Sequence, residues 1–239
     1  MRPNPFNSHP YEAFSRPIGI GRHDFIPQSE VIPMSQPKSS KPAKLIIGFF
    51  LRNKDLSEAI VESLVNRYDH MDIISEWISF DETTYYEPEM GQPLYRRIIA
   101  FKNLIHQSQL AQIKLETNKI ESQFVENGKR KVNIDPGYLL LERLVLATGK
   151  NFSHRIYIGK GIYADLTLIY RQGRFESLPW TFPDYAGAQI QQFLQRVRAK
   201  YAVDLKKDSR IHGIENNHLN PIILDPLNPS GSKGDIKSM

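Results

Sequence analysis

The chain has 239 residues, 40% apolar and 24% charged, which bounds it to one or two domains of ordinary globular composition. Its 31 Lys and Arg against 26 Asp and Glu give a formal charge of +5, too small to demand a nucleic-acid or membrane partner by itself. The lack of cysteine excludes disulfides, thiolate metal sites and a cysteine nucleophile. No run approaches the roughly 18 apolar residues of a membrane span. No secretory signal is apparent, so a cytoplasmic protein with no membrane partner is expected.

Residues 1–43 scatter Pro, Ser, Gly and Asn without periodicity and are expected to be a disordered leader. Met34 opens a short polar segment that runs into the first apolar run, so translation starting there is one expectation and a genuine tail the other. A single α+β domain is expected over 44–203. Lys44 to Leu51 reads as a buried strand, and Asp55 to Tyr68 as a helix capped by Asp55, with Leu56, Ile60, Leu64 and Val65 on one face. Asp72 to Phe80 alternates as a strand, Leu94 to Phe101 is another, and Gln107 to Asn127 has helical spacing closed by Asn127-Gly128. Asp135-Pro136-Gly137 reads as a turn, and 138–148 fits either strand or helix.

His154 to Tyr170 predicts a hairpin around Gly159-Lys160-Gly161, and Tyr185 to Tyr201 a closing helix. Residues 204–239 are rich in turn formers and are expected to be a disordered tail. The order β-α-β-β-α-β predicts a ferredoxin-like antiparallel sheet with helices on one face, extended by the C-terminal hairpin and the closing helix.

Four segments carry a resemblance: TTYYEPEMG at 83–91, IKLETNKIE at 113–121, VNIDPGYLLLERLVLATGKNFSHRIYIGKGIYADLTL at 132–168 and LPWTFPDY at 178–185. Over about Lys44 to Tyr201 the chain resembles the prokaryotic domain-of-unknown-function family DUF4416, whose members are often catalogued as GTP-binding proteins. The resemblance implies a short leader before the first strand, which favours Met34 as the start, and no particular mechanism. The residues themselves speak against a P-loop. That motif needs G-x-x-x-x-G-K-[ST]. Gly128-Lys129-Arg130, Gly149-Lys150-Asn151 and Gly159-Lys160-Gly161 lack both the earlier glycine and the following hydroxyl. Thr117-Asn118-Lys119 imitates a guanine-reading N-K-x-D motif, but it falls in a predicted helix and position 121 is Glu.

The strongest site candidates are His154 and Asp165 as an acid/base pair, with Arg155 able to fork onto a phosphate or carboxylate. A hairpin would bring Arg155 and Asp165 to one face, near Asp135 or the 85–91 loop. Lys160 and Tyr163 can face an anion, and Tyr86 and Glu89 stand in a polar-aromatic loop. Glu87 and Glu89 with Asp81 or Asp135 have no metal-ligand spacing, so no metal site is assigned. Arg96 and Arg97 point to opposite strand faces, so at most one serves a given pocket. Lys114 and Asn118 share a helix face, and Asn118 hints at a side-chain role. Trp180, Phe182 and Tyr185 read as an aromatic lid or a stacking surface.

Each site residue also has a purely structural reading, as a cap, a surface ion pair or a core ring. Three functions compete: a module binding an anionic small molecule or nucleotide, a phosphate-ester-processing enzyme using His154 and Asp165, and an RNA-associated protein. No cofactor is indicated.

Overall fold

The computed structural model describes residues 35–80 and 85–215, with side chains to Lys207. The chain divides into Met1–Ser39 and Ser40–Met239. In the first unit only residues 35–39 are described, exposed and without regular structure. The Met34 start, the rest of the leader, Asp81 and residues 216–239 lie outside the described residues.

In the second unit, β1 (Ala43–Leu51) is buried at every position, as the apolar run from Leu45 to Leu51 requires. A turn capped by the Asn53 side chain, rather than by Asp55, leads into α1 (Ser57–Tyr68). The expected strand at 72–80 is broken into β2 (Met71–Ile74) and β3 (Ile78–Ser79). Between them the Ser75 hydroxyl accepts from the Ile98 amide, so a side chain replaces part of the ladder. A short α2 (Glu87–Met90), β4 (Tyr95–Ile105) and α3 (Leu110–Gln123) follow. A small hairpin, β5 (Val125–Glu126) and β6 (Lys129–Arg130), precedes β7 (Val132–Leu139) and β8 (Arg143–Thr148). The expected hairpin is formed by β9 (Arg155–Gly159) and β10 (Ile162–Arg171), with β11 (Arg174–Ser177) added; α4 (Pro183–Ala186) and α5 (Ala188–Glu215) close the chain.

Nine strands form one antiparallel sheet in the order β11-β10-β8-β7-β1-β4-β2, with β3 on β4 and β9 on β10. It is larger than the sheet expected from sequence. Alternation along β1 splits the core in two. Leu45, Ile47, Phe49 and Leu51 pack with Ile60, Leu64, Ile113 and Ile120 under α1 and α3. Ile46 points the other way, joining Ile98 and Ala100 against Ile190, Phe193, Leu194 and Val197 of α5. Helices therefore cover both faces of the central strands, not one. The physical reason is that β1 from Leu45 to Leu51 and β4 from Ile98 to Phe101 are apolar on both sides.

Two further expectations change. Asp135-Pro136-Gly137 is not a turn but the middle of β7, paired with β1 through Gly48↔Asp135 and Ile47↔Pro136. Proline is tolerated because pairing with β8 begins only at Gly137. The closing helix also runs past 203 to Glu215, tied down by Asp204, whose carboxylate accepts from the buried Lys44 ammonium at 2.6 Å.

Candidate functional site

β7 and β8 pair at only three positions, from Gly137↔Leu146 to Leu139↔Leu144. Beyond them β7 stays with β1 and β8 stays with β10, so the sheet forks. At the fork point a Cβ on Gly137 would collide with the Val145 carbonyl oxygen, so glycine is what lets the strands close there. Past it, the Ile134 backbone has no β8 partner. Two α3 side chains substitute: Lys114 Nζ donates to the Ile134 carbonyl at 2.7 Å, and Glu121 Oε1 accepts from its amide at 2.5 Å. Burial pushes the Glu121 carboxyl up, opposed by the charge of Lys114 and the Ile134 hydrogen bond.

A cavity of about 470 Å³ fills this fork. Its floor is built on Arg96 of β4, which is 4% exposed and boxed by Phe80, Tyr185 and Phe50, with ring centroids 4.7, 5.0 and 5.2 Å from the guanidinium carbon. Arg96 Nε lies 3.0 Å from Asp184 Oδ2, too oblique for a hydrogen bond, and Nη2 lies 3.7 Å from Asp135. Arg96 Nε and Nη1, Asp184 Oδ2 and the Tyr185 hydroxyl are buried without hydrogen-bond partners. Gly48 makes room for them: a Cβ there would stand 3.0 Å from the Tyr185 hydroxyl and 3.8 Å from Arg96 Nη1. Burial pushes the Asp184 carboxyl up against the pull of Arg96, and burial drives the Tyr86 phenol up to about 12.

Asp184 and Tyr185 are held over the sheet by the preceding loop. The β10–β8 register shifts between Leu166 and Leu168. There the Leu166 carbonyl accepts from Trp180 Nε1 at 2.8 Å, and the Thr167 carbonyl from the Thr181 hydroxyl at 2.5 Å. Pro183 then starts α4.

On the opposite wall Arg155 Nε donates to Asp165 Oδ2 at 2.9 Å, the two being direct partners in the β9–β10 register. The exposed mouth carries Tyr85, Asn118, Gly149, Lys150 and Phe182. Lys150 Nζ donates to the Tyr85 hydroxyl at 2.9 Å, and the Lys150 carbonyl accepts from Arg155 Nη1.

Of the residues singled out from sequence, Arg155, Asp165, Asp135, Tyr86 and Asn118 line this one cavity. His154 does not line it. Its Nε2 lies 3.2 Å from Asp165 Oδ2, and its ring stacks on Trp180 at 4.9 Å, so it touches the cavity only through Asp165. Glu89 stands behind the wall, its carboxylate taken by both Nε and Nη2 of Arg130 at 2.7 Å. Lys160 lies away from the cavity, donating to Gln112 Oε1, and Tyr163 packs edge-on against Tyr157. Among the described residues no group of three His, Asp or Glu side chains is placed to hold a metal ion.

Arg96, Asp184 and Tyr185 are the polar floor that sequence reading did not assemble. Alternation shows that Arg96 and Arg97 diverge; it does not say which one α4 will cover. The aromatic run around Tyr185 drew attention to packing and away from its hydroxyl and the neighbouring carboxylate.

Fold and cleft together define an α+β protein whose forked antiparallel sheet encloses a polar-aromatic cavity. The chain belongs to the DUF4416 family: the model of that domain of unknown function matches residues 41–201, which hold every strand among the described residues and all the residues lining the cavity. No curated protein and no solved structure matches the chain. No described helix is long and apolar enough to cross a membrane.

Proposed function

We propose that the protein binds a small anionic molecule, with nucleotides the leading class, and that the forked cavity is its site. The observation that carries this reading is the mouth. Lys150 is exposed and donates to a tyrosine hydroxyl rather than to a carboxylate, and Arg155 stands beside it with its Nε on Asp165. An ammonium at the opening of a cleft and a guanidinium on its wall attract a phosphate or carboxylate and orient it. The volume falls within the usual range of small-molecule sites, and aromatic walls with a few fixed polar groups are their usual lining. Nucleotide binding here uses no P-loop, consistent with the glycine spacing of the sequence.

The architecture supports a related reading. The neighbouring strands β7, β1, β4 and β2, with α1 and α3 on one face, form the ferredoxin-like part, and β8 to β11 extend it. An RNA-associated role would use an open sheet face carrying aromatics. The second face of the central strands is packed against α5, which weighs against that role. A phosphate-ester-processing enzyme is favoured by one observation, the 3.2 Å approach of His154 to the cavity-lining Asp165.

Thermal denaturation with a panel of inorganic phosphate, sugar phosphates and nucleotides including GTP tests the reading, since a ligand of the native state raises Tm by mass action. At least one phosphate-bearing compound is expected to raise Tm. Lys150→Ala should weaken that ligand about tenfold, the loss expected for one charge-assisted contact of 1.4 kcal/mol. A phosphate panel that leaves Tm unchanged overturns the proposal. Ligand turnover that stops in His154→Ala, with binding intact, would move the assignment to the enzyme.

A further inference from the structure

We infer that the cavity floor recognises the polar edge of an uncharged planar heterocycle, one that sets a hydrogen-bond donor beside an acceptor, as a nucleobase does. The inference rests on the anion reading above only for the ligand's other end.

The argument begins with four atoms. Arg96 Nε and Nη1, Asp184 Oδ2 and the Tyr185 hydroxyl sit together, buried and without a hydrogen bond, Nε and Oδ2 facing each other at 3.0 Å only as an ion pair. Buried polar groups in native proteins are nearly always hydrogen-bonded, and each one left without a partner lowers stability. A cluster of four on three adjacent side chains is therefore a site kept open at a cost to the fold. Gly48 is part of the same design. A β-carbon at this central-strand position would press on the Tyr185 hydroxyl at 3.0 Å, so the smallest residue preserves the space above the floor.

The chemistry of the atoms selects the ligand. Arg96 can only donate, ionised Asp184 can only accept, and Tyr185 can do either. Their complement is an acceptor adjacent to a donor. The floor sets one guanidinium against two carboxylates, Asp184 and Asp135, so it repels an anion and favours a neutral polar edge. Phe80, Tyr86 and Phe182 supply ring surface along the same cavity, which suits a flat ligand. The cations that suit an anion are Lys150 at the mouth and Arg155 on the wall, bonded to the Lys150 carbonyl. A ligand that satisfies both ends has a heterocycle inward and a phosphate or carboxylate outward. A nucleoside monophosphate is the simplest molecule so built.

The test uses the full chain and calorimetric titration with the four common nucleoside 5′-monophosphates, their free nucleosides and ribose 5-phosphate. At least one nucleoside monophosphate is expected to bind about tenfold or more tighter than ribose 5-phosphate, the ratio that 1.4 kcal/mol of base recognition gives. Tyr185→Phe keeps the ring against Arg96 and removes only a hydroxyl that makes no well-aligned hydrogen bond within the protein. It should leave Tm unchanged or raised, yet bring the nucleotide down to the affinity of ribose 5-phosphate. Gly48→Ala should do the same by filling the floor, and neither variant should alter ribose 5-phosphate binding.

Equal affinity for nucleotide and ribose 5-phosphate would overturn the floor assignment and leave the anion reading standing. So would a base preference that survives Tyr185→Phe, or a fall in Tm in that variant, which would mark the hydroxyl as paired through an ordered water. Free nucleosides that bind as tightly as their phosphates would uphold the floor and overturn the anion reading. A panel in which nothing binds would overturn both.

Discussion

At the scale of single residues, the fork is expensive to maintain, and the side chains that maintain it can be tested one at a time. Glu121 and Lys114 stand in for a missing strand at Ile134. Glu121→Ala removes the only acceptor of a buried amide and should destabilise the protein by about 1–3 kcal/mol, the cost of an unsatisfied buried group. Glu121→Gln keeps an acceptor and should cost less. Hydrogen exchange at the Ile134 amide, read by NMR, should quicken in the alanine variant first. Asp165 gives a second case, with its side chain 6% exposed and its carboxylate held by Arg155. Asp165→Leu alone strands a buried guanidinium and should cost about 3–5 kcal/mol in denaturant melts. Arg155→Met with Asp165→Leu removes both charges and should cost markedly less. Equal costs for the single and the double variant would show that the pair contributes through packing alone. The nearness of this pair was legible because the hairpin brings its strands together, but a two-residue turn alone would set Leu166 opposite Arg155; the register shift between Ile162 and Tyr163 is what sets Asp165 there. The Arg96 floor was not legible, since its partners come from α4, more than eighty residues downstream in the chain.

At the scale of elements, three hairpins turn at a residue of positive φ followed by a glycine of positive φ: Asn127-Gly128, Lys160-Gly161 and Gln172-Gly173. Only the middle one was read as a hairpin from sequence. Asn127-Gly128 follows a helical repeat and looks like a helix stop, and the strands it joins have two residues each, too short for a periodic signal. Asp135-Pro136-Gly137 misled for the opposite reason. Its residues are turn formers by propensity, and the pairing of β1 with β7 overrides propensity. Helix α5 shows where composition fails as a guide to helix ends. Past 203 the sequence turns polar, but Asp204 reaches back to Lys44, and Lys44 also donates to Asp72 at 2.8 Å. This clasp fastens the helix to the first strand of the sheet. Lys44→Met leaves two largely buried carboxylates without that partner and should cost about 3–5 kcal/mol. The clasp also has a pH signature. Burial raises the Asp204 carboxyl, but hydrogen bonds from Lys200 and Lys44 outweigh it and hold the group below its ordinary value. A carboxyl depressed in the native state binds fewer protons there than in the unfolded chain. Its contribution is complete above the unfolded value of about 4 and is lost as pH falls through the native one. Stability measured from pH 6 down to pH 2 should fall more steeply in the parent than in Asp204→Asn.

At the scale of the whole molecule, the fork joins two bodies of sheet through a short seam. On one side β7, β1, β4 and β2 are held between α1, α3 and α5; on the other β8 to β11 form a smaller antiparallel patch. Only Gly137–Leu139 and Leu144–Leu146 pair directly across the gap. Cavity residues come from both sides: Arg96, Asn133 and Asp135 from the first, Thr148, Arg155 and Asp165 from the second. A ligand in the cavity therefore bridges strands that make no ladder with each other at that depth. Ligand contact that spans two cooperative units raises the free energy of opening for both, because the open forms of either lose the ligand. Hydrogen exchange followed by mass spectrometry should then show a two-sided response. Once the first panel compound that raises Tm is added at saturation, amides at 133–135 and at 147–150 should slow together. Helix α1, none of whose residues lines the cavity, should change little. Protection confined to 147–150 would place the ligand on the Lys150 loop alone and outside the fork. Protection confined to 133–135 would place it under α3. Only the joint response fits a ligand seated between the two parts of the sheet.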